Sequence, residues 1–267
     1  MTNDDAYDNS GHIPDAEAYP PRWAAEAEAF RLALGARALV NFSYGDNTRQ
    51  VFDLFMPEDP PKGCIVFVHG GYWRRFDPRT WSAFASGGLD AGWAVAMPGY
   101  TLAPEARISQ ITREIAQALG VIGDAVPGPL RLVGHSAGGH LVSRMLCGDA
   151  MLPSAIADRI EGCVPISPVS DLRPLIDTTM NDDLGLTERE AHGESPALLS
   201  RGLDVPMTVW VGGDERPAFL DQARWLAAAW GVGLHVDEGR HHFDVIDGLR
   251  DAESPLMRAV LGDTPAG

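Results

Sequence analysis

Gly134-His135-Ser136-Ala137-Gly138 follows the apolar run 130–133 and leads through Gly139 into a helical pattern. A serine set between glycines at a strand-to-helix turn sits on a sharp, strained bend with its hydroxyl presented. The helix N-terminus behind it favours negative charge where a tetrahedral adduct would form. Ser136 is therefore the candidate nucleophile, and the chemistry it points to is acyl transfer. Such chemistry needs N–H donors aimed at the developing oxyanion, a base and an acid that orients the base. Ala137, next after the serine, offers one donor. The stretch IVFVHGGYWRR (65–75) offers the others, because Gly70 and Gly71 let backbone approach a substrate closely. Gly71 and Tyr72 are the expected donors, with His69 bracing their loop rather than acting as base.

The base must come from the remaining histidines. His12, His192 and His235 fall in an arm, an insertion and a strand, and His135 and His140 flank Ser136 on the wrong positions of the turn. His241 and His242 lie in EGRHHFDVIDGL, after the last strand pattern, and His242 is favoured over its neighbour. The acid is sought after the run 206–211, in GGDERPAF. Spacing from Gly212 selects Glu215; residue type leaves Asp214 open as the alternative. Trp73 is expected either to stack on an aromatic substrate or to brace the turn. Arg74, Arg75 and Arg107 are candidates for meeting a substrate carboxylate.

These residues need a frame. Apolar runs at 49–56, 64–68, 93–97, 130–133, 162–166, 206–211 and 233–237 alternate with helical patterns near 79–90, 107–123, 138–148, 217–230 and 244–250. Near-continuous apolar strands alternating with helices predict an α/β fold, with a mostly parallel central sheet and helices on both faces. Ligands then meet the carboxyl ends of the strands, where the candidate residues fall. One domain is expected over 1–267, with an N-terminal arm and helix over 1–36. Residues 171–203 form an insertion that is a candidate lid.

With 21 Lys and Arg against 37 Asp and Glu, the net charge is −16. So acidic a chain repels nucleic acid and anionic membrane. Cys64, Cys147 and Cys163 lie in apolar runs and read as core residues. The polar start MTNDDAYDNSGH lacks the apolar stretch of a signal peptide, and no run is long enough for a membrane span, so a cytoplasmic protein is expected. No metal pattern or cofactor motif is present. The expected partner is a small-molecule substrate, with a homodimer compatible but not specified.

GHSAGGH, HGGYW and HHFD together resemble the α/β-hydrolase superfamily, and within it the arylformamidase (kynurenine formamidase) group. YDNSGHIPDAEAYPPRWAAEAEAFR, YTLAPEARI and SPVSDLRPL resemble further segments of that group, so the likeness covers nearly the whole chain. It implies an α/β-hydrolase fold, Ser136 as nucleophile and His242 as base, in the chain order serine, acid, histidine. Alignment on the following Pro-Ala-Phe places the acid at Glu215, where members of the group usually carry Asp. The implied activity is hydrolysis of N-formylkynurenine without metal or cofactor. A short-chain carboxylesterase or thioesterase with the same machinery is the alternative reading, and a non-catalytic ligand-binding protein the third.

Overall fold

The structure, a computed structural model, describes residues 3–263. The first two residues of the expected arm and the last four of the expected domain lie outside the described residues. Among the described residues eight strands make one sheet: β1 (Ala38–Ser43), β2 (Val51–Phe55), β3 (Cys64–Val68), β4 (Ala94–Pro98), β5 (Leu130–His135), β6 (Ile160–Ile166), β7 (Thr208–Gly212) and β8 (Gly233–Asp237). Their order is β1-β2-β4-β3-β5-β6-β7-β8. β1 and β2 run antiparallel at one edge, and every pairing from β4 to β8 is parallel.

The apolar runs are continuous because both faces of the sheet are covered. Along β3, Cys64, Val66 and Val68 point into one core and Ile65 and Phe67 into the other. Helix Ile108–Ala125 closes the first core with Ile108, Ile111, Ile115, Leu119 and Ile122, spaced three and four apart so that they share one face. Each such side chain fully buried stabilises the fold by roughly 2 kcal/mol. The opposite core receives Trp23 from helix Tyr19–Leu34, Trp81 from the 3₁₀ turns at Pro78–Ala85, and Leu256 and Met257 from helix Pro255–Leu261.

The sequence pattern did not announce β1. It is an edge strand whose Leu39, Val40 and Phe42 stay largely exposed, and a bulge between Leu39 and Phe42 breaks the alternation that marks a half-buried strand. The helix expected at 244–250 is instead a loop ending in one 3₁₀ turn, Asp247–Arg250. All three cysteines are free and buried; burial pushes the Cys64 thiol up to about 12, which keeps it inert.

What the sheet does for the site is set by its carboxyl edge. Gly70 and Gly71 follow β3, Ser136 follows β5, Ser167 follows β6, and Glu215 and His242 lie in the turns after β7 and β8. Residues far apart in sequence are thereby delivered to one rim.

Candidate active site

Ser136 sits between β5 and helix Ala137–Arg144 with φ 57° and ψ −116°, a conformation an L-residue rarely adopts. The flanking glycines are obligatory on steric grounds. A Cβ on Gly134 would come 2.1 Å from the Gly138 carbonyl oxygen, and one on Gly138 would come 1.9 Å from that of Val68. The turn is pinned by the Ser136 N–H, which donates to the Ile166 carbonyl at 2.8 Å.

The 69–73 loop is brought hard against this turn. A Cβ on Gly70 would lie 2.8 Å from the His135 carbonyl oxygen and 3.0 Å from Cβ of Ser136. Gly71, Tyr72 and Trp73 all have positive φ, at 108°, 52° and 57°. In that conformation the N–H groups of Gly71 and Tyr72 donate to nothing among the described residues, and both residues line the cavity that Ser136 faces. His69 is buried, donates from Nδ1 to the Gly70 carbonyl at 2.7 Å and stacks on Tyr100 at 4.5 Å. Burial pushes it down to about 4, so it stays neutral and braces the loop. Trp73 does not line the cavity: it is fully buried and packs edge-on against His140 at 5.1 Å. Of its two expected roles, bracing is where the structure places it, because its backbone turns the side chain into the core.

His242 Nδ1 lies 2.6 Å from Oε2 of Glu215, and both side chains are buried. A proton on Nδ1, donated to the carboxylate, leaves the Nε2 lone pair free to take a proton from a serine hydroxyl. The rings of Phe219 and His135 pack on His242 at 4.3 and 4.7 Å. His135 donates from Nε2 to the His242 carbonyl at 2.9 Å, and burial first, then the neighbouring imidazole, pushes its pKa well below the ordinary value. The alternatives fall elsewhere. Asp214 is exposed. His241 accepts backbone N–H bonds at Nδ1 and meets the Tyr19 hydroxyl through Nε2 at 3.0 Å.

Ser136, His242, Gly71 and Tyr72 open into one cavity of about 760 Å³. Trp23, Phe76, Trp81 and Phe243 line it and touch one another, with Trp23 4.8 Å from Trp81 and 5.5 Å from Phe243. The arm supplies the outer wall through Asp4, Tyr7, Asn9 and Ala16, and the insertion adds Thr179 and Met180. The arm is fastened to its surroundings. Tyr72 donates its hydroxyl to the Tyr7 carbonyl at 2.7 Å, Gln222 donates to the Tyr7 hydroxyl at 2.9 Å, and Arg216 pairs with Asp5 at 2.5 Å. Of the three arginines, Arg107 bonds Gly185 outside the cavity and Arg74 pairs with Asp183 at 2.7 Å. Arg75 lines the cavity, is exposed and has no ion pair among the described residues. Among those residues no cluster of His, Cys, Asp or Glu is arranged to hold a metal, and no helix is long and apolar enough to cross a membrane.

Residues 65–218 match the family described as the alpha/beta hydrolase fold. The chain belongs to the α/β-hydrolase fold family. Within it, this hydrolase is 27% identical to a kynurenine formamidase of Danio rerio, over 84% of this chain and 81% of that one. It is 26% identical to a kynurenine formamidase of Drosophila melanogaster, over 80% and 78%. A crystal structure of a candidate thioesterase from a Silicibacter species superimposes with TM-score 0.96 at 52% identity, covering 98% and 99% of the two chains. Esterase B of Lactobacillus rhamnosis superimposes with TM-score 0.66 at 19% identity, over 96% and 93%, a likeness of fold.

Sequence reasoning gave Ser167 and Tyr7 no role and considered His135 only as a base, setting it aside. Ser167 and His135 carried a usable signal, since each stands at the carboxyl end of a strand; Tyr7 opens the arm segment that resembles the formamidase group, but no local periodicity there points to its contacts.

Proposed function

We propose that this hydrolase removes a small acyl group by a serine mechanism, and that its substrate is an aryl formamide, N-formylkynurenine. The observation that carries the reading is a convergence on one cavity: Ser136, His242 held by Glu215, the unbonded N–H groups of Gly71 and Tyr72, and a wall of four aromatic side chains. The resemblance to kynurenine formamidases over four-fifths of the chain supports the same substrate.

The steps follow from the groups present. Ser136 Oγ attacks the formyl carbonyl while its proton passes to Nε2 of His242, and the oxyanion is held by the N–H groups of Gly71, Tyr72 and Ala137. The C–N bond then breaks as His242 returns that proton to the departing aryl amine. Water, deprotonated by His242, attacks the formyl ester, releasing formate and restoring the serine. Glu215 accepts the Nδ1 hydrogen bond throughout, holding the imidazole in one tautomer. A formyl group needs almost no acyl pocket, while the aromatic wall suits the leaving aryl group. No step calls for a metal or cofactor.

A second reading has its own support: the 52%-identical Silicibacter structure is described as a candidate thioesterase, and the same steps cleave a short acyl thioester with a thiol leaving. The test is kcat/KM on N-formylkynurenine, p-nitrophenyl acetate and acetyl-coenzyme A, for wild type and Ser136→Ala. A value of at least about 10⁴ M⁻¹s⁻¹ on the formamide, lost in the variant, supports the formamidase. Turnover of the ester or thioester alone supports the second reading, and serine-independent turnover removes both.

A further inference from the structure

Ser167 stands one residue beyond β6, in the SPVSDLRPL stretch that the function has so far not absorbed. It is fully buried and has φ 48°, the left-handed region that L side chains avoid. Backbone strain of this kind persists where its surroundings over-determine it. Here the Ser167 N–H donates to the Trp210 carbonyl at 2.7 Å, which fixes the residue against β7. Its hydroxyl donates to Oε1 of Glu215. The Gly212 N–H donates to that same oxygen at 2.9 Å. With Oε1 occupied twice, Oε2 is the oxygen that meets Nδ1 of His242, at 2.6 Å.

A carboxylate buried this completely stays ionised only with donors of its own. Glycine would fit the backbone at 167 with less strain, and alanine would fit it no worse than serine does. What serine adds is the hydroxyl. We propose that Ser167 is a positioning residue of the hydrolytic site: its hydroxyl fixes the plane of the Glu215 carboxylate and keeps it charged, so that His242 is held in the base-competent tautomer. The inference rests on the reading of Ser136, His242 and Glu215 as a triad. The groups that face the Glu215–His242 pair are otherwise uncharged or already paired. His135 from β5 and Tyr72 from the 69–73 loop are kept neutral by burial, Arg216 is paired with Asp5, and His241 accepts backbone N–H groups at Nδ1 and meets the Tyr19 hydroxyl through Nε2.

The test compares Ser167→Ala and Ser167→Gly with wild type in two assays. One is the rate at which a fluorophosphonate labels Ser136, which needs no knowledge of the natural substrate. The other is kcat/KM on p-nitrophenyl acetate from about pH 5 to 9, a range that spans histidine titration. Both variants are expected to slow labelling and kcat roughly 10- to 100-fold, the worth of a hydrogen bond to a charged group. KM stays within about threefold, as for an interaction that matters to the transition state. The acid limb of the profile moves to higher pH, because a carboxylate with one donor fewer retains the shared proton more tightly. Ser167→Gly is expected to be at least as heat-stable as Ser167→Ala, so that a loss common to both is not a folding defect. Wild-type rates in both variants overturn the proposal. So does a slower reaction with an unmoved acid limb, and so does recovery in the glycine variant alone, which would trace the effect to backbone strain. Ser136→Ala is assayed alongside: labelling or turnover surviving there removes the triad reading itself, whereas its loss beside unaffected Ser167 variants removes only the role of Ser167.

Discussion

The hydroxyl of Tyr72 donates to the carbonyl of Tyr7 at 2.7 Å, so one residue serves two surfaces. Its N–H is left free toward the cavity while its side chain grips the arm that forms the cavity's outer wall. The left-handed backbone at Tyr72 makes this division geometrically possible, since it turns side chain and N–H apart. Arm and 69–73 loop are thereby coupled: forming the wall and setting the free N–H groups are one arrangement.

Tyr72→Phe removes that grip and leaves the N–H in place. One neutral hydrogen bond is worth about 1 kcal/mol, so KM for N-formylkynurenine is expected to rise about fivefold, with kcat changed less. A small ester that does not reach the arm should be nearly indifferent. Equal loss on both substrates would show that the bond shapes the oxyanion loop instead of the wall.

The choice between Asp214 and Glu215 has a sharp kinetic signature. Glu215→Gln places a donor opposite the Nδ1 proton, favours the wrong tautomer and should lower kcat by about 10⁴. Asp214→Asn, at an exposed side chain, should leave kcat/KM within about twofold, as surface substitutions do. A large loss in Asp214→Asn with little in Glu215→Gln would reverse the assignment.

Much of this site was legible because strand ends announce themselves. Gly134 to Gly138 and Gly70-Gly71 are spaced by steric need, and spacing from the strand-closing Gly212 selected Glu215 over the residue type commonly found. His242 was separable from His241 only by its neighbourhood in the motif; the structure adds that His241 is spent on backbone N–H groups. The arm was not legible from local pattern, because Asp4 and Tyr7 act through contacts with Thr179, Tyr72 and Gln222, and no local period encodes such long-range contacts. For Trp73 the sequence left stacking on a substrate and bracing the turn both open, for a related reason. Beside two glycines it looks like a presented side chain, but a positive φ at both 72 and 73 turns it into the core.

Acid stability should be limited by the buried histidines. Burial pushes His69 down to about 4 and His140 to about 3, and His135 lies well below its ordinary value. In the unfolded chain each titrates near 6.5. Below that pH the unfolded state binds protons that the folded state refuses, so stability is full above it and falls as pH drops toward the folded values. By pH 5 the loss is roughly 2 kcal/mol for each such histidine. Thermal unfolding at pH 7, 6 and 5 should show a steady fall in Tm, flattened in His140→Gln. A Tm unchanged over that range would mean that these imidazoles accept protons in the folded protein.

Arg75 is the last charge in the cavity to place. Arg74 is neutralised by Asp183, and Arg107 is engaged outside, which leaves Arg75 as the cavity-lining guanidinium with no ion pair among the described residues. N-formylkynurenine carries an α-carboxylate; formanilide and p-nitrophenyl acetate carry none. A charge-assisted hydrogen bond is worth about 1.5 kcal/mol or more, so Arg75→Gln should raise KM for N-formylkynurenine about tenfold. Arg75→Lys should recover part of the loss, retaining the charge but not the fork. Turnover of the two neutral substrates should not change. An equal effect on charged and neutral substrates would assign Arg75 to the wall of the cavity, and no effect on either would leave it a solvated surface group.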